Sequence, residues 1–528
     1  MTKGISSKPT GSAVSNGNVN VQSKASSKPT SQVPNPPKVI AGGASSSGKD
    51  IKGLTATKDE DFSEWFTQLI QKAELIEYSP VSGCYILRPN SYAIWEKVQA
   101  FFDGLIKDDG VKNCYFPMLI PESLLTKEKN HVEGFAPEVA WVDYGGDTKL
   151  GERLAIRPTS ETIMYDAYAK WIRSHKDLPL RLNQWCSVVR WEFKHCTPFL
   201  RSREFLWQEG HTVFATKDEA VTEARRILGF YERVFREMYA VPVLLGTKSE
   251  GEKFAGADFT LSCEAFLPNG KAIQGSTSHY LGQNFAKAFG IEFVDEKQQK
   301  QFGHQNSWGI TTRSIGVCIL MHSDDKGLVL PPKVAPTPVV IVPLLFDKGS
   351  AEVKNAVEGA RLRLKSAGVV CHVDDREGYT PGWKYNEWEV KGVPIRIEIG
   401  PKDVEKNQAM VVRRDTGLKV AVALASLGVE IPRMLELMQS DMLAKASQLL
   451  ESSIVRAESA AEVEKACGNK KMALVPWCGG KECEEKFKEK SGIKSLNAPF
   501  DQSPLKKGQK CFACSSVAIR YHYFGKSY

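Results

Sequence analysis

No run of apolar residues in this chain approaches the roughly 20 that a bilayer-spanning helix needs. No charged-then-apolar leader opens it either. These absences argue against membrane insertion and secretion. Excess charge of one sign is nearly missing too. The formal net charge is +8, but residues 1–50 hold six lysines against Asp50 alone, which leaves only +3 for the rest of the chain. Total charge therefore gives no ground for nucleic-acid binding, which must be argued from local motifs. The same fifty residues contain no arginine, which counts against a transit peptide. They also carry too little apolar surface to offset the entropy of ordering, and are read as a disordered basic tail. Within them GASSSGKD, Gly43 to Asp50, is close to a phosphate-binding loop. Asp50, however, stands where a metal-binding hydroxyl belongs, and no apolar strand precedes it. A disulfide framework is also absent. Eight of the twelve cysteines are scattered without regular spacing, as suits a reducing compartment.

What is present suffices for about three domains of a soluble globular protein. Over residues 51–332, helical spacing at Phe62, Trp65, Phe66, Leu69 and Ile70, and again from Ser91 to Ile106, alternates with short strands. The pattern predicts an α+β domain with an antiparallel sheet. Cys114 to Met118 reads as a strand carrying Pro117, which is tolerated at an edge or where pairing ends, so the strand could border a second subunit. Leu154 to Ile156 is a strand, after which Thr159 or Ser160 could cap a helix from about Thr162 to Ser174. A further helix is expected from about Asp218 to Tyr239. The proline-rich 331–338 segment is a linker. Beyond it the period becomes βαβ, predicting a small parallel-rich α/β domain at 335–440. Residues 441–528 form a last α+β domain, entered by a long helix and ending in four clustered cysteines.

Chemistry concentrates in Val189 to His211, VRWEFKHCTPFLRSREFLWQEGH. Arg190 and Glu192 fall on one face of a strand. After a loop come Arg201, Ser202, Arg203, Glu204, Phe205, Trp207, Glu209 and His211. Guanidinium groups fork onto phosphate and aromatic faces stack on bases, so the stretch suits an anionic planar ligand. Taken alone, it suits a salt-bridged surface hairpin equally well. The four late cysteines, Cys478-x4-Cys483 and Cys511-x2-Cys514, could bind Zn2+ as a tetrahedral tetrathiolate. With no open coordination position that ion would be structural. Four unrelated buried cysteines are the alternative, and the x4 half departs from the usual short pair.

Taken together these pieces resemble the class II aminoacyl-tRNA synthetases. The Ser91–Ile106 helix with the Pro117 segment resembles motif 1, the dimer element of that class. Val189-Arg190-Trp-Glu192, a loop and Arg201-x3-Phe205 resemble motif 2, and Gly309-Ile-Thr-Thr-Arg313 resembles motif 3. Arg157-Pro-Thr-Ser-Glu161, Trp207-x-Glu209-x-His211 and Gly275-Ser-Thr-Ser-His279 resemble the prolyl branch. The ending on Tyr-Phe-Gly-Lys-Ser-Tyr528 resembles its archaeal and eukaryotic form, over residues from about 55 to 528. The interval from Glu209 to Gly303 is too short for the editing insertion of the bacterial form.

The resemblance implies activation of L-proline by Mg2+-ATP to prolyl-adenylate, then transfer to the 3′ end of tRNA(Pro), by a cytoplasmic homodimer with no membrane association. The basic tail leaves organelle targeting open. Arg190 and Arg313 would be catalytic. Arg190, Glu192, Arg201, Ser202, Phe205, Gln274, Thr277, Thr311 and Arg313 would bind ATP. Thr159, Glu161, Arg190, Trp207, Glu209, His211 and His279, with Phe254 beside them, would bind proline. The 335–440 domain would bind the anticodon, and the carboxylate of Tyr528 would pack back towards the active site. Three rivals stand beside this reading: a synthetase for threonine, glycine or histidine, a non-enzymatic paralogue, and a general nucleic-acid-binding protein. The joint presence of Arg190, Glu192, Arg201, Phe205 and Arg313 speaks against the second, and the +3 remainder against the third.

Overall fold

The computed structural model describes residues 53–131, 138–191, 195–345 and 350–528. The tail, with its loop-like GASSSGKD, and Glu192 lie outside the described residues.

The site is carried by an antiparallel sheet. Leu180–Val189 pairs with Glu204–Phe214, that strand with His304–Thr311, the next with Lys271–Gly282, and the last with Phe259–Phe266. One face is closed by the Lys217–Arg233 helix, started by a Thr216–Glu219 capping box, which buries Ala224, Ile227, Leu228 and Tyr231. Two glycines let side chains approach this packing. A Cβ at Gly210 would overlap the Trp308 ring, and one at Gly275 the Phe235 ring. Because side chains alternate along a strand, the odd-numbered residues Phe205 to His211 face the other side, where a cleft is left open. The helix expected over 218–239 is an α-helix to Arg233 followed by a π-turn, Val234–Met238.

Two expectations need correcting. Cys114 to Met118 is not a strand: pairing stops at Lys112–Asn113 and resumes at Leu119–Pro121. Pro117 has no N–H to give, and the Phe116 N–H donates to the Gln184 side chain at 3.0 Å in place of a ladder partner. The helix after Pro158 begins at Glu161, and neither hydroxyl before it acts as a cap. Ser160 donates to Glu209 and Thr159 to Glu161, both inside the cleft.

Past the linker, Cys371–Val373, Val339–Pro343 and Ile395–Ile399 are parallel, while Gln408–Arg413 and Lys419–Ala423 extend the sheet antiparallel. Their own apolar core includes Ile341, Val357, Ile397 and Val411. The sheet is therefore mixed, with one antiparallel edge strand beyond those expected. A 27-residue helix, Leu427–Ser453, leads to the C-terminal core around Trp477, Phe487 and Phe524. The final strand, Arg520–Ser527, pairs with Met472–Trp477 and also runs parallel to Lys271 and Ala272. The catalytic and C-terminal sheets are thus one continuous surface, and the chain ends beside the cleft.

Candidate active site

The cleft has a volume of about 460 Å³. It gathers every described residue of the expected site: Thr159, Glu161, Arg190, Arg201, Ser202, Phe205, Trp207, Glu209, His211, Gln274, Thr277, His279, Thr311 and Arg313. Phe254 lines it as well. One end is cationic. The Arg190 guanidinium lies 5.4 Å from the Phe205 ring and 5.3 Å from the Trp207 ring, its Nε donating to the Pro158 carbonyl at 3.2 Å. Arg313 starts its helix with Nε donating to the Leu200 carbonyl at 3.0 Å and its backbone N–H to Thr311 Oγ1. Burial, together with the nearby charges of Arg190 and Arg201, brings the Arg313 pKa down to about 10, while only Glu264 pulls the other way. Three guanidinium groups crowded until one is perturbed make a site built for an anion that relieves them.

The other end is a buried carboxylate pocket. Glu209 accepts from Ser160 N at 3.1 Å, from Gln184 Nε2 at 2.7 Å and from the Ser160 hydroxyl. His211 Nε2 lies 3.0 Å from Glu209 Oε2, and its Nδ1 3.0 Å from the Tyr165 hydroxyl. A buried carboxylate without partners would cost several kcal/mol, and here each oxygen is satisfied. Burial opposes charge on Glu209, yet His211, Ser160 and Gln184 hold its pKa below the usual value. On His211, the attraction of Glu161 and Glu209 outweighs burial and raises the pKa. His279 behaves oppositely: burial first, then His211 and Arg190, push it to about 3. It is neutral, and Thr260 Oγ1 lies 2.8 Å from its Nδ1. The same hydroxyl oxygen accepts from the Phe254 N–H at 3.0 Å, which fixes the Thr260 side chain beside the ring. Phe254 packs on that ring at 4.8 Å between centroids.

Over 500 residues the chain is 51% identical to "Proline--tRNA ligase, cytoplasmic" of Arabidopsis thaliana, covering 92% of this chain and 94% of that protein. The chain belongs to the prolyl-tRNA synthetase family. Family models agree in order along the chain: tRNA synthetase class II core domain (G, H, P, S and T) at 141–322, anticodon binding domain at 338–433, and prolyl-tRNA synthetase, C-terminal, at 460–528. Two solved structures of the prolyl-tRNA synthetase of Cryptosporidium parvum are similar. One is complexed with halofuginone and AMPPNP (TM-score 0.88, 51% identity, 90% of this chain and all of that one). The other is complexed with L-proline and AMP (TM-score 0.87, 50% identity, 90% and 97%).

Some residues of the prolyl-tRNA synthetase cleft escaped the sequence reading. Gln184 sits directly across from Glu209 in the strand register, which only the pairing shows. Tyr165 lies one helical turn after Glu161, a spacing that could have suggested it. Glu252 and Thr260 come from a turn and strand with no motif. The chain terminus does come back. Tyr528 lines a second cavity of about 350 Å³ that shares Arg201, Gln274 and Arg313 with the first. Its hydroxyl accepts from Asn269 at 2.8 Å.

Away from the cleft, Cys483 and Cys511 sulfurs are 3.8 Å apart and those of Cys478 and Cys514 3.7 Å, with all four within 4.8 Å of one another. A disulfide needs about 2.05 Å, whereas Zn–S bonds of about 2.3 Å give a tetrahedral edge of about 3.8 Å. The Gly480 N–H donates to Cys478 Sγ at 3.4 Å, as suits a thiolate.

The Glu209–His211 pair fixes a pH dependence. His211, raised above its ordinary 6.5, contributes stability that is complete below that value and lost as pH climbs through the folded pKa. Glu209, lowered from 4.5, contributes stability that is complete above that value and lost as pH falls through the folded pKa. His211→Gln is therefore expected to destabilise by about 3–5 kcal/mol near pH 6, with the gap to wild type narrowing towards pH 9. Urea unfolding across that range measures it, and parallel pH profiles would refute the pairing.

Proposed function

We propose that the cleft activates L-proline with Mg2+-ATP and passes the prolyl group to the 3′ end of tRNA(Pro). The observation that carries this is the juxtaposition of a three-arginine cluster with a buried Glu–His–Glu pocket in one cleft. The Glu161 and Glu209 side chains gathered beside His211 offer the acceptors that suit the secondary ammonium of proline. Trp207, Phe254 and neutral His279 bound the space for its ring. At the cationic end Phe205 stacks on adenine, and Arg190 bridges the α-phosphate and the proline carboxylate. Arg201 holds the γ-phosphate, and Arg313 covers the adenine and the phosphate tail. Ser202, Gln274, Thr277 and Thr311 add polar contacts.

The carboxylate is already ionised, so adenylate formation needs alignment and charge neutralisation more than a general base. Its oxygen bonds to the α-phosphorus as the bond to the bridging oxygen breaks, and pyrophosphate leaves with the electron pair. The tRNA hydroxyl then attacks the activated carbonyl and AMP departs.

Residues 51–332 serve catalysis, 335–440 the anticodon, and 441–528 a domain whose Cys478, Cys483, Cys511 and Cys514 hold one structural Zn2+. The thiolate set, its spacing and its closed coordination support that assignment. The exposed Tyr115, Met118 and Leu119 around Pro117 support a homodimer formed there. Among the described residues no helix is long and apolar enough to cross a membrane, and the assigned compartment is the cytoplasm.

The test is ATP–pyrophosphate exchange with each amino acid in turn. Proline should support it best, with alanine and cysteine behind by roughly 10–200-fold, since an apolar pocket rejects smaller rivals poorly. Preference for threonine, glycine or histidine would overturn the reading.

A further inference from the structure

The second cavity, lined by Tyr528, adjoins the cationic end of the cleft and shares Leu200, Arg201, Glu252, Gln274 and Arg313 with it. Glu161, Glu209 and His211 line the cleft and not this cavity. An in-line displacement at the α-phosphorus puts the leaving group on the side away from the attacking carboxylate. A proline held at Glu209 and His211 therefore sends pyrophosphate towards this cavity.

The charges on its wall are not balanced locally. Glu264 is paired with Lys248 at 3.2 Å and Glu252 with Lys488 at 3.0 Å. Lys494, contributed by the C-terminal domain, has no carboxylate within ion-pair distance among the described residues and is half-buried. Burial, with Arg201, Lys248 and Lys488 around it, lowers its pKa against the pull of Glu252. A half-buried ammonium held among like charges costs free energy that an anion would recover.

We infer that this cavity is the departure chamber for pyrophosphate, and that Lys494 binds the leaving group there. The inference rests on the proposed adenylation. It makes the C-terminal domain a direct contributor to the active site.

Lys494→Ala, Lys494→Gln and Lys494→Arg test it in the full chain. In proline-dependent exchange, where pyrophosphate is a substrate, Lys494→Ala and Lys494→Gln should raise the KM for pyrophosphate by about tenfold, the worth of one charged hydrogen bond. The KM for proline should stay within about twofold, because nothing in the Glu–His pocket changes. Lys494→Arg should restore most of the loss. Lys494 and Ser495 pair through their backbone with Gly525 and Phe524, so truncating the side chain spares the fold, and thermal unfolding checks that. An unchanged KM for pyrophosphate in both neutral variants would overturn the chamber. Absence of proline-dependent exchange in the wild type would instead strike the functional reading beneath it.

Discussion

Arg190→Ala is expected to remove proline-dependent pyrophosphate exchange, with kcat/KM falling by about a thousandfold, while the protein stays folded. The two effects separate because of what Arg190 touches. Its Nε donates to the Pro158 carbonyl at 3.2 Å, its guanidinium lies over the faces of Phe205 and Trp207, and its backbone N–H, which a truncated side chain keeps, donates to the Arg203 carbonyl at 2.7 Å. Losing the side-chain contacts costs about 1–2 kcal/mol. Against that stands a gain. Arg190 is one of two cations that, after burial, depress Arg313, so its removal relaxes a repulsion the empty site tolerates. Unfolding midpoints should therefore be nearly unchanged, or even higher, in the variant that loses activity. A purely structural arginine gives the reverse, with stability down and residual exchange near normal, and that outcome would refute its role. Saturating ATP separates a binding defect from a chemical one. If Arg190 acts on the transition state, kcat falls and KM moves little.

The motifs were legible because each is short and local. The spacing Arg190, Arg201, Phe205 lies along one hairpin, and Arg313 follows its glycine-bearing strand directly. What could not be read was the partner of each side chain. Glu209 belongs to the proline pocket by its motif, but its donors come from Ser160, 49 residues earlier, and from Gln184, 25 earlier. Those pairings depend on strand register and a helix start, which sequence period alone does not determine. Ser160 shows the cost of local reasoning: a serine before a helix is an ordinary cap, and here its hydroxyl goes to the buried carboxylate instead. The apolar run at Cys114–Met118 failed for a related reason. Hydrophobicity announced a strand, but Pro117 and the Gln184 side chain divert the backbone donors a ladder needs. The mixed sheet of 339–423 was under-read because alternation at Lys419–Ala423 spans a single short edge strand.

Replacing Cys511 by Ser is expected to empty the proposed zinc site, lower stability by about 3–5 kcal/mol, and weaken exchange activity as well. Zinc-finger peptides gain about 10–16 kcal/mol from their ion, but this domain keeps a core of its own around Trp477, Phe487 and Phe524, so less of its stability depends on metal. The reach to the active site follows the Lys481–Ser491 helix. Cys483 is in its first turn, the next residue Glu484 accepts from Ser249 at 2.8 Å, and Lys488 holds Glu252 at 3.0 Å. Glu252 lines the cleft, and Phe254, two residues on, packs on His279. Freeing one end of that helix therefore loosens the turn that shapes the proline pocket, and the KM for proline should rise before kcat changes. Zinc measured per chain by mass spectrometry, thermal unfolding and exchange kinetics on the same preparation resolve the chain of cause. Wild-type protein without zinc would sink the metal assignment. Zinc lost with the KM for proline unchanged would leave the metal assignment standing and break its link to the site.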